Sequence, residues 1–285
     1  MITCYSIAEY SKAIASFSDD TLIGFVPTMG ALHKGHISLV QRARDKSQIV
    51  VVSVFVNPTQ FNNHKDLESY PRNLAQDATL LERAGTDILF APSVEEMYPN
   101  PDSRVFELGG LDNTGEGRRR PGHFNGVAQI VTKLFDIIKP KYAFFGEKDF
   151  QQLSIIKYIT EKQGYPVNII PCPTLREDEG LAMSSRNLLL TNEHREAAPE
   201  IYRSLLNAAT LAKKGTHSPR DIAEITKKEI EKHPLLKVEY VEPLDSLTMK
   251  EVDMWEDAAD IQLCVALFAG EVRLIDNIKI EQNVA

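Results

Sequence analysis

Short apolar runs alternate with helical patterns over the first 175 residues of the chain. The runs are Leu22–Val26, Ile49–Val56, Ile88–Phe90, Tyr142–Phe145 and Val167–Ile170, rich in Val, Ile and Phe. Several are apolar at consecutive positions, which buries both faces, as in parallel strands covered by helices on each side. Between them, helical patterns run over Ile37–Lys46, Leu67–Ala84, Gly126–Ile138 and Phe150–Gln163. Strand and helix alternating in this way predict an α/β fold on a doubly wound parallel sheet. Such sheets take ligands at the carboxyl ends of their strands.

The pattern changes after Pro171-Cys172-Pro173. Residues 191–233 form two charged helical stretches, broken at Lys214-Gly215 and Ser218-Pro219. Strand-like runs follow at Val238–Val241, Ile261–Phe268 and Val272–Ile275, with a hairpin turn at Ala269-Gly270-Glu271 joining the last two. The expected organisation is a ligand-binding domain over 1–175 and a smaller C-terminal α+β domain over 176–285.

Composition narrows the function classes. The 285 residues are 43% hydrophobic and 25% charged, with 32 Lys plus Arg against 40 Asp plus Glu, a formal net charge of −8. That is globular composition and excludes a disordered chain, a collagen-like repeat and a membrane bundle. A net negative surface repels phosphate backbones, so no nucleic-acid partner is expected, and phosphate chemistry needs a local positive pocket. Cys4, Cys172 and Cys264 are far apart and odd in number, which predicts reduced, buried thiols. The start MITCYSIAEYSK lacks the regions of a signal peptide, and no apolar run approaches the ~20 residues of a membrane span. The expectation is a cytoplasmic protein with no membrane partner.

Five segments carry candidate chemistry. Pro27-Thr28-Met29-Gly30-Ala31-Leu32-His33-Lys34-Gly35-His36 leaves a predicted strand and enters a helix. Gly30 and Gly35 allow close approach of backbone to a ligand. The helix start offers unpaired N–H groups, and two imidazoles three residues apart suit a triphosphate. The same histidines could merely cap the helix; a zinc pair lacks a third ligand at sensible spacing. Asn57 and Gln60, at the end of the next strand, are uncharged amides able to donate to a carboxylate or hydroxyl, or else polar residues of a Pro turn. In Gly146-Glu147-Lys148-Asp149, Lys148 supplies a cation and Asp149 either accepts from ribose hydroxyls or caps a helix. The hydroxyls and guanidinium of Met183-Ser184-Ser185-Arg186-Asn187 can hold phosphates, although a hydrophilic linker reads the same way. Arg118-Arg119-Arg120 is either a local positive patch or a solvated charge run.

PTMGALHKGH resembles the HxGH signature of the nucleotidyltransferase superfamily, and Met183–Asn187 its KMSKS-type loop. Over nearly the whole chain the blocks GFVPTMGALHKGH, VVVSVFVNPTQF, YPRNLAQD, RPGHFNGVAQIVTKLFDIIKP, FFGEKDFQQL, LREDEGLAMSSRN and RLIDNI are similar to the pantoate–β-alanine ligase family. The resemblance implies a Rossmann-like domain with ATP against Met29–His36, Gly146, Glu147, Lys148, Asp149, Leu175, Met183, Ser184, Ser185 and Arg186. It places pantoate and β-alanine against Asn57, Gln60, Gln152 and Met29, and gives catalysis to His33, His36, Lys148 and Arg186. It further implies Mg²⁺ carried on the phosphates, a pantoyl adenylate intermediate, a homodimer, and a C-terminal domain that closes as a lid over the 183–187 loop. Val51–Phe55 and the helix Val127–Ile138 are the apolar stretches suggested for the subunit face. Lys34, Arg118 and Arg119 depart from the family pattern, and would make the pocket mouth more positive. The runner-up readings are a nucleotidyltransferase acting on another small acid or phosphate ester, and a nucleotide sensor that binds ATP without turnover.

Overall fold

In the computed structural model, which describes residues 1–18 and 20–282, the chain divides into two compact units. The first comprises Met1–Leu108, Arg120–Glu147 and Ile155–Pro173; the second Gly109–Arg119, Lys148–Ser154 and Thr174–Ala285. Two short segments of the first 175 residues, 109–119 and 148–154, thus group with the C-terminal part.

The first unit is built on a six-stranded parallel sheet. Its strands are β1 (Ile2–Cys4), β2 (Ile23–Thr28), β3 (Ile49–Val54), β4 (Ile88–Phe90), β5 (Tyr142–Gly146) and β6 (Asn168–Cys172), in the spatial order β1-β4-β3-β2-β5-β6. The sheet is the doubly wound one expected, with the order reversing at β2 and β5. The connecting helices are α1 (Ile7–Ile14), α2 (Lys34–Lys46), α3 (His64–Ser69), α4 (Leu74–Arg83), α5 (Val94–Met97), α7 (His123–Ile138) and α8 (Phe150–Lys162), with α6 (Gly115–Arg119) in the second unit. Val26, Val40, Val50, Val52, Leu81 and Phe144 are fully buried on one face.

One residue shapes the middle of the sheet. Backbone bonds alternate along β2: Ile23 accepts from Lys141 at the start of β5, and Thr28 accepts from Phe55 after β3. Odd-numbered residues of β2 therefore address β5, and one of them is Pro27, which has no N–H to give. The β2–β3 ladder runs over six residue pairs, but the β2–β5 ladder stops after Gly24 and Phe25. The two strands part at their carboxyl ends, where such sheets bind ligands.

The expected helix over Leu67–Ala84 is two helices. Pro71 disfavours helical backbone at Tyr70, which is extended, and Asn63 and Asn73 each cap a separate helix. β1 and α1 lie outside the predicted elements; a three-residue strand carries too little periodicity to read. The run predicted at Val167–Ile170 extends through Pro171 to Cys172, which β6 tolerates as an edge strand. Val51–Phe55 lies in the middle of the sheet, and α7 buries twelve of its residues inside the unit, so neither offers a subunit face.

The second unit has a three-stranded antiparallel sheet of β7 (Leu236–Asp245), β8 (Ile261–Ala269) and β9 (Val272–Ile280). α10 (Glu200–Lys214) and α11 (Pro219–Ile230) pack on it through Ile201, Leu205, Ile222 and Ile230, and α9 (Asn192–Ala197) precedes them. Ser218 and Asp221 form a reciprocal cap at the start of α11, and Gly215 ends α10 in the left-handed region. This is the α+β unit expected, with the 269–271 hairpin in place. All three cysteines are unpaired and buried, and burial pushes the Cys172 thiol up to about 11. Among the described residues, no helix is long and apolar enough to cross a membrane.

Gly126 sets how closely α7 approaches the turn at Pro58–Gln60: a Cβ there would lie 2.6 Å from the Thr59 carbonyl carbon and 2.8 Å from the Gln60 Cα. Gly126→Ala is expected to cost about 1–3 kcal/mol by overpacking and to lower the melting temperature by several degrees. Gly146→Ala, where the added carbon meets nothing within 4 Å, is the matched control and should melt like the parent in a thermal scan.

Candidate active site

At the end of β2 the chain leaves the sheet in a tight turn. Gly30 and Ala31 both have positive φ, at 82° and 50°, so two consecutive peptides point away from any ladder partner. Asp77, on α4 and 2% exposed, satisfies them: its carboxylate accepts from Ala31 N–H at 3.0 Å and Leu32 N–H at 2.8 Å. Burial pushes the Asp77 pKa up, against the opposing pull of the two amides. Thr28 adds a local clamp, donating to the Ser53 carbonyl at 2.8 Å and accepting from Gly30 N–H at 3.2 Å.

The turn delivers His33 to the start of α2, where it is the N-cap. Its Nδ1 accepts from Gly35 N–H at 3.2 Å, while His36 Nδ1 accepts from His33 N–H at 3.4 Å. The rings lie 4.1 Å apart, centre to centre. An Nδ1 that accepts a backbone proton carries none of its own, so the neutral ring's proton sits on Nε2 in both histidines. The capping reading is therefore true of this pair, and it sets the tautomer of both rings. Lys34 and Gly35 occupy the first turn of α2 beside them.

The amides after β3 form a closed network. Asn57 Nδ2 donates to Gln60 Oε1 and to the Gly126 carbonyl, both at 3.1 Å, and Asn57 Oδ1 accepts from Tyr98 at 2.8 Å and Thr59 at 3.1 Å. All four hydrogen-bonding positions of Asn57 are thereby occupied within the protein, and its effect is to orient Gln60. Gln60 Nε2 donates to Met29 Sδ at 3.3 Å, a weak acceptor that a stronger one readily replaces. His123 holds the same turn from α7. Its Nδ1–H donates to the Gln60 carbonyl at 2.7 Å and its Nε2 accepts from Arg120 at 3.2 Å. The first unit thus brings Met29–His36 together through the Asp77 and histidine contacts, and Met29 with Asn57 and Gln60. Gly146 ends β5, and Glu147 follows it as the last residue of that segment of the same unit.

The second unit holds the remaining residues. Glu147–Asp149 form one turn of 3-10 helix, in which Lys148 Nζ lies 3.2 Å from Asp149 Oδ1. Gln152, half-buried, is the neighbour of Gln151, whose amide accepts from Glu116 N–H and donates to the carbonyls of Leu111 and Thr114. Leu175 and Met183 face each other in a small hairpin, with Met183 N–H donating to the Leu175 carbonyl at 3.0 Å. Ser184 caps the following turn by accepting from Arg186 N–H at 3.3 Å, and Ser185 is buried. Arg118 pairs with Glu251 at 2.7 Å; Arg119 pairs with Glu242 at 2.7 Å and lies 4.1 Å over the Tyr240 ring. The positive field expected of these two arginines is neutralised by acids far along the chain.

Asp77, His123, Tyr98 and Gly126 are the residues that sequence reasoning missed. Asp77, Gly126 and His123 stand inside resembling blocks, but nothing in their local pattern shows which distant amide or carbonyl they serve. Among the described residues, no group of three or more His, Cys, Asp or Glu is placed to hold a metal ion.

The model of the pantoate-beta-alanine ligase family matches residues 2–279. The pantothenate synthetase of Porphyromonas gingivalis is 51% identical over 259 residues, covering 91% of this chain and 92% of that protein. That of Bacteroides thetaiotaomicron is 50% identical over 260 residues, with the same coverage. The crystal structure of pantothenate synthetase from Thermus thermophilus superposes with a TM-score of 0.92 at 41% identity, over 99% of this chain and 100% of that one. The Francisella tularensis pantoate-beta-alanine ligase, complexed with beta-gamma ATP and beta-alanine, gives a TM-score of 0.84 at 37% identity over 98% and 97% of the two chains.

Asp77→Asn keeps the shape but sets an NH₂ donor against one backbone N–H, so a loss of about 1–3 kcal/mol is expected at neutral pH. The raised pKa of Asp77 means that the folded form binds its proton more tightly than the unfolded chain. Stability from this group therefore rises as pH falls through the raised value, whereas Asn does not titrate. The gap between parent and variant should widen in urea titrations taken from about pH 7 to about pH 4. A gap that narrows on acidification would show that the folded state favours the charged carboxylate.

Proposed function

The chain belongs to the pantoate-beta-alanine ligase family, and from that membership we propose that it joins pantoate to β-alanine using ATP, through a pantoyl adenylate. The pantoate carboxylate attacks the α-phosphorus of ATP, forming the acyl–phosphate bond as the bond to pyrophosphate breaks. The β-alanine amine then attacks the adenylate carbonyl, loses a proton and expels AMP, leaving the amide of pantothenate. The observation that carries this reading is the start of α2, where His33 and His36 each accept a backbone N–H through Nδ1, beside the point at which β2 and β5 part.

The first step sets an anionic nucleophile against a polyanion, and charge grows on the departing pyrophosphate. His33, His36 and the helix start offset that charge, with Lys148 and Arg186. His36 is the hydrogen-bond donor, through Nε2–H, to the phosphate oxygen on which charge grows as the α–β bond breaks. Met29–Gly35, Gly146, Glu147, Asp149, Leu175 and Met183–Ser185 make up the rest of the nucleotide contacts. Gln60 turns its amide from the Met29 thioether to the pantoate, Asn57 keeps it oriented, and Gln152 adds a second amide. Mg²⁺ bound to the phosphates would supply further neutralisation. No side chain becomes covalently attached.

The adenylate is an anhydride that water destroys, so the 183–187 loop and the unit that carries it act as the lid. Hydrogen exchange at 183–190 should slow when ATP and pantoate are added, and an unchanged rate removes the lid from the scheme. The working form is a cytoplasmic homodimer, for which light scattering should give about twice the chain mass.

A product assay with Mg²⁺, ATP and pantoate, with and without β-alanine, tests the chemistry. AMP and pyrophosphate are expected, with pantothenate appearing only when β-alanine is present. ADP and phosphate would mean carboxylate phosphorylation. ATP binding without turnover of pantoate would favour the sensor, or a related transferase acting on another acid. His36→Ala should lower the rate of pyrophosphate release about 10²–10³-fold while pantoate affinity changes little.

A further inference from the structure

The closing block Arg273-Leu274-Ile275-Asp276-Asn277-Ile278 has no part in the scheme above, yet it contains two buried polar side chains in the middle of β9. Asp276 is 4% exposed and Asn277 8%. Asp276 forms a two-pronged ion pair with Arg176, Oδ2 to Nη1 at 2.6 Å and Oδ1 to Nη2 at 2.9 Å. Arg176 also donates to the Gly180 carbonyl at 3.2 Å, and its guanidinium lies 3.6 Å over the Tyr202 ring. It belongs to the hairpin in which residue 176 pairs with residue 182, immediately before Met183–Arg186.

The other end of the block reaches Lys148. Asn277 N–H donates to Asp276 Oδ1 at 2.8 Å, and Asn277 Nδ2 donates to the Lys148 carbonyl at 2.8 Å. Gln262 on β8 donates to Asn277 Oδ1 at 2.6 Å and so fixes which way that amide faces. A continuous set of hydrogen bonds therefore runs from the hairpin that precedes the turn of Arg186, through Arg176, Asp276 and Asn277, to the backbone of Lys148. All these residues lie within one compact unit.

We infer that Arg176, Asp276 and Asn277 are positioning residues that set Lys148 and the 183–186 loop at a fixed spacing for the triphosphate. The inference rests on the assignment of Lys148 and Arg186 to the phosphates. Two cations on separate segments stabilise a transferring phosphate only if their separation is held in advance, because reorganisation during the step would cancel the gain. A bidentate Arg–carboxylate pair and a buried amide hold such a spacing better than a lysine or a single hydrogen bond would. Neither Asp276 nor Asn277 is required to touch a substrate.

The test is a pair of double-mutant cycles on pyrophosphate release, with the parent enzyme, Asn277→Ala, Lys148→Ala and the double variant in the first. Asn277→Ala should fold, lower kcat about 10–10²-fold and leave KM for pantoate within about threefold. Added to Lys148→Ala it should cost nothing more, because it acts through that residue. In the second cycle, Arg176→Lys should lower kcat in the parent but not in Arg186→Ala. Losses that multiply in both cycles, or a folded Asn277→Ala with parental kcat, overturn the inference. If Asn277→Ala does not fold, Asn277→Asp takes its place; it keeps the size and the acceptor for Gln262 and sets a carboxylate oxygen against the Lys148 carbonyl in place of the donor, so a lowered kcat is expected of it too. The parent reaction keeps the two ideas apart. Failure of the parent to release pyrophosphate from ATP and pantoate counts against the proposed function, whereas a working parent with multiplicative cycles counts against the strut alone.

Discussion

A missing proton at Pro27 governs the ligand-binding edge of the sheet. Every backbone amide that leaves a sheet must find another acceptor or face water. Because Pro27 ends the β2–β5 ladder early, the chain after Thr28 is released, and each later amide needs a partner of its own. Asp77 serves Ala31 and Leu32, Thr28 serves Gly30, and the histidine rings serve His33 and Gly35. The opening that a ligand can use and the side chains that line it are thus two results of one interruption. A buried carboxylate is a costly acceptor, and the raised pKa of Asp77 records that cost. It is retained where two adjacent amides point the same way, since no neutral side chain presents two acceptor oxygens to them.

Charge is handled differently in the second unit. Buried Glu116 accepts from Arg273 through both oxygens and from the Tyr240 hydroxyl at 2.9 Å, while Glu242 takes Arg119 and the Gly115 N–H. Burial raises the Tyr240 pKa well above its usual value, so the phenol stays a donor. These pairs fold 109–119 against its own unit. Their worth lies in a specified geometry more than in net stability, because desolvation offsets much of the attraction. The acidic overall charge and a cationic requirement for phosphate coexist because most arginines are already committed to acids.

Much of this was legible in order along the chain. Continuous Val and Ile runs marked the inner strands because burial on both faces leaves no polar position. Thr-Met-Gly followed by HxGH marked a strand-to-helix turn because glycine and capping side chains have local causes. What could not be read had its cause far away. The split of Leu67–Ala84 hung on one proline inside an otherwise good helical period. The neutralisation of Arg118 and Arg119 depends on Glu242 and Glu251, more than a hundred residues on. Asp77 and His123 look like ordinary helix residues until the backbone groups that they hold are seen. Asn57 reads as a ligand-facing amide until its four protein partners are counted.

The double duty of His33 separates two kinds of damage. As an N-cap it provides one acceptor to Gly35 N–H, a task that Asn, Ser or Asp performs as well or better. In the proposed scheme it is also the source of an Nε2–H donor, for which it has no such substitutes. A duplicated gene that exchanged His33 for Asn would still yield a well-folded protein with an intact sheet and helix, and no stability screen would detect the loss. On the proposed scheme, the route from ligase to silent nucleotide-binding relative is short at this residue, and a folded copy of the chain is no evidence of a working one.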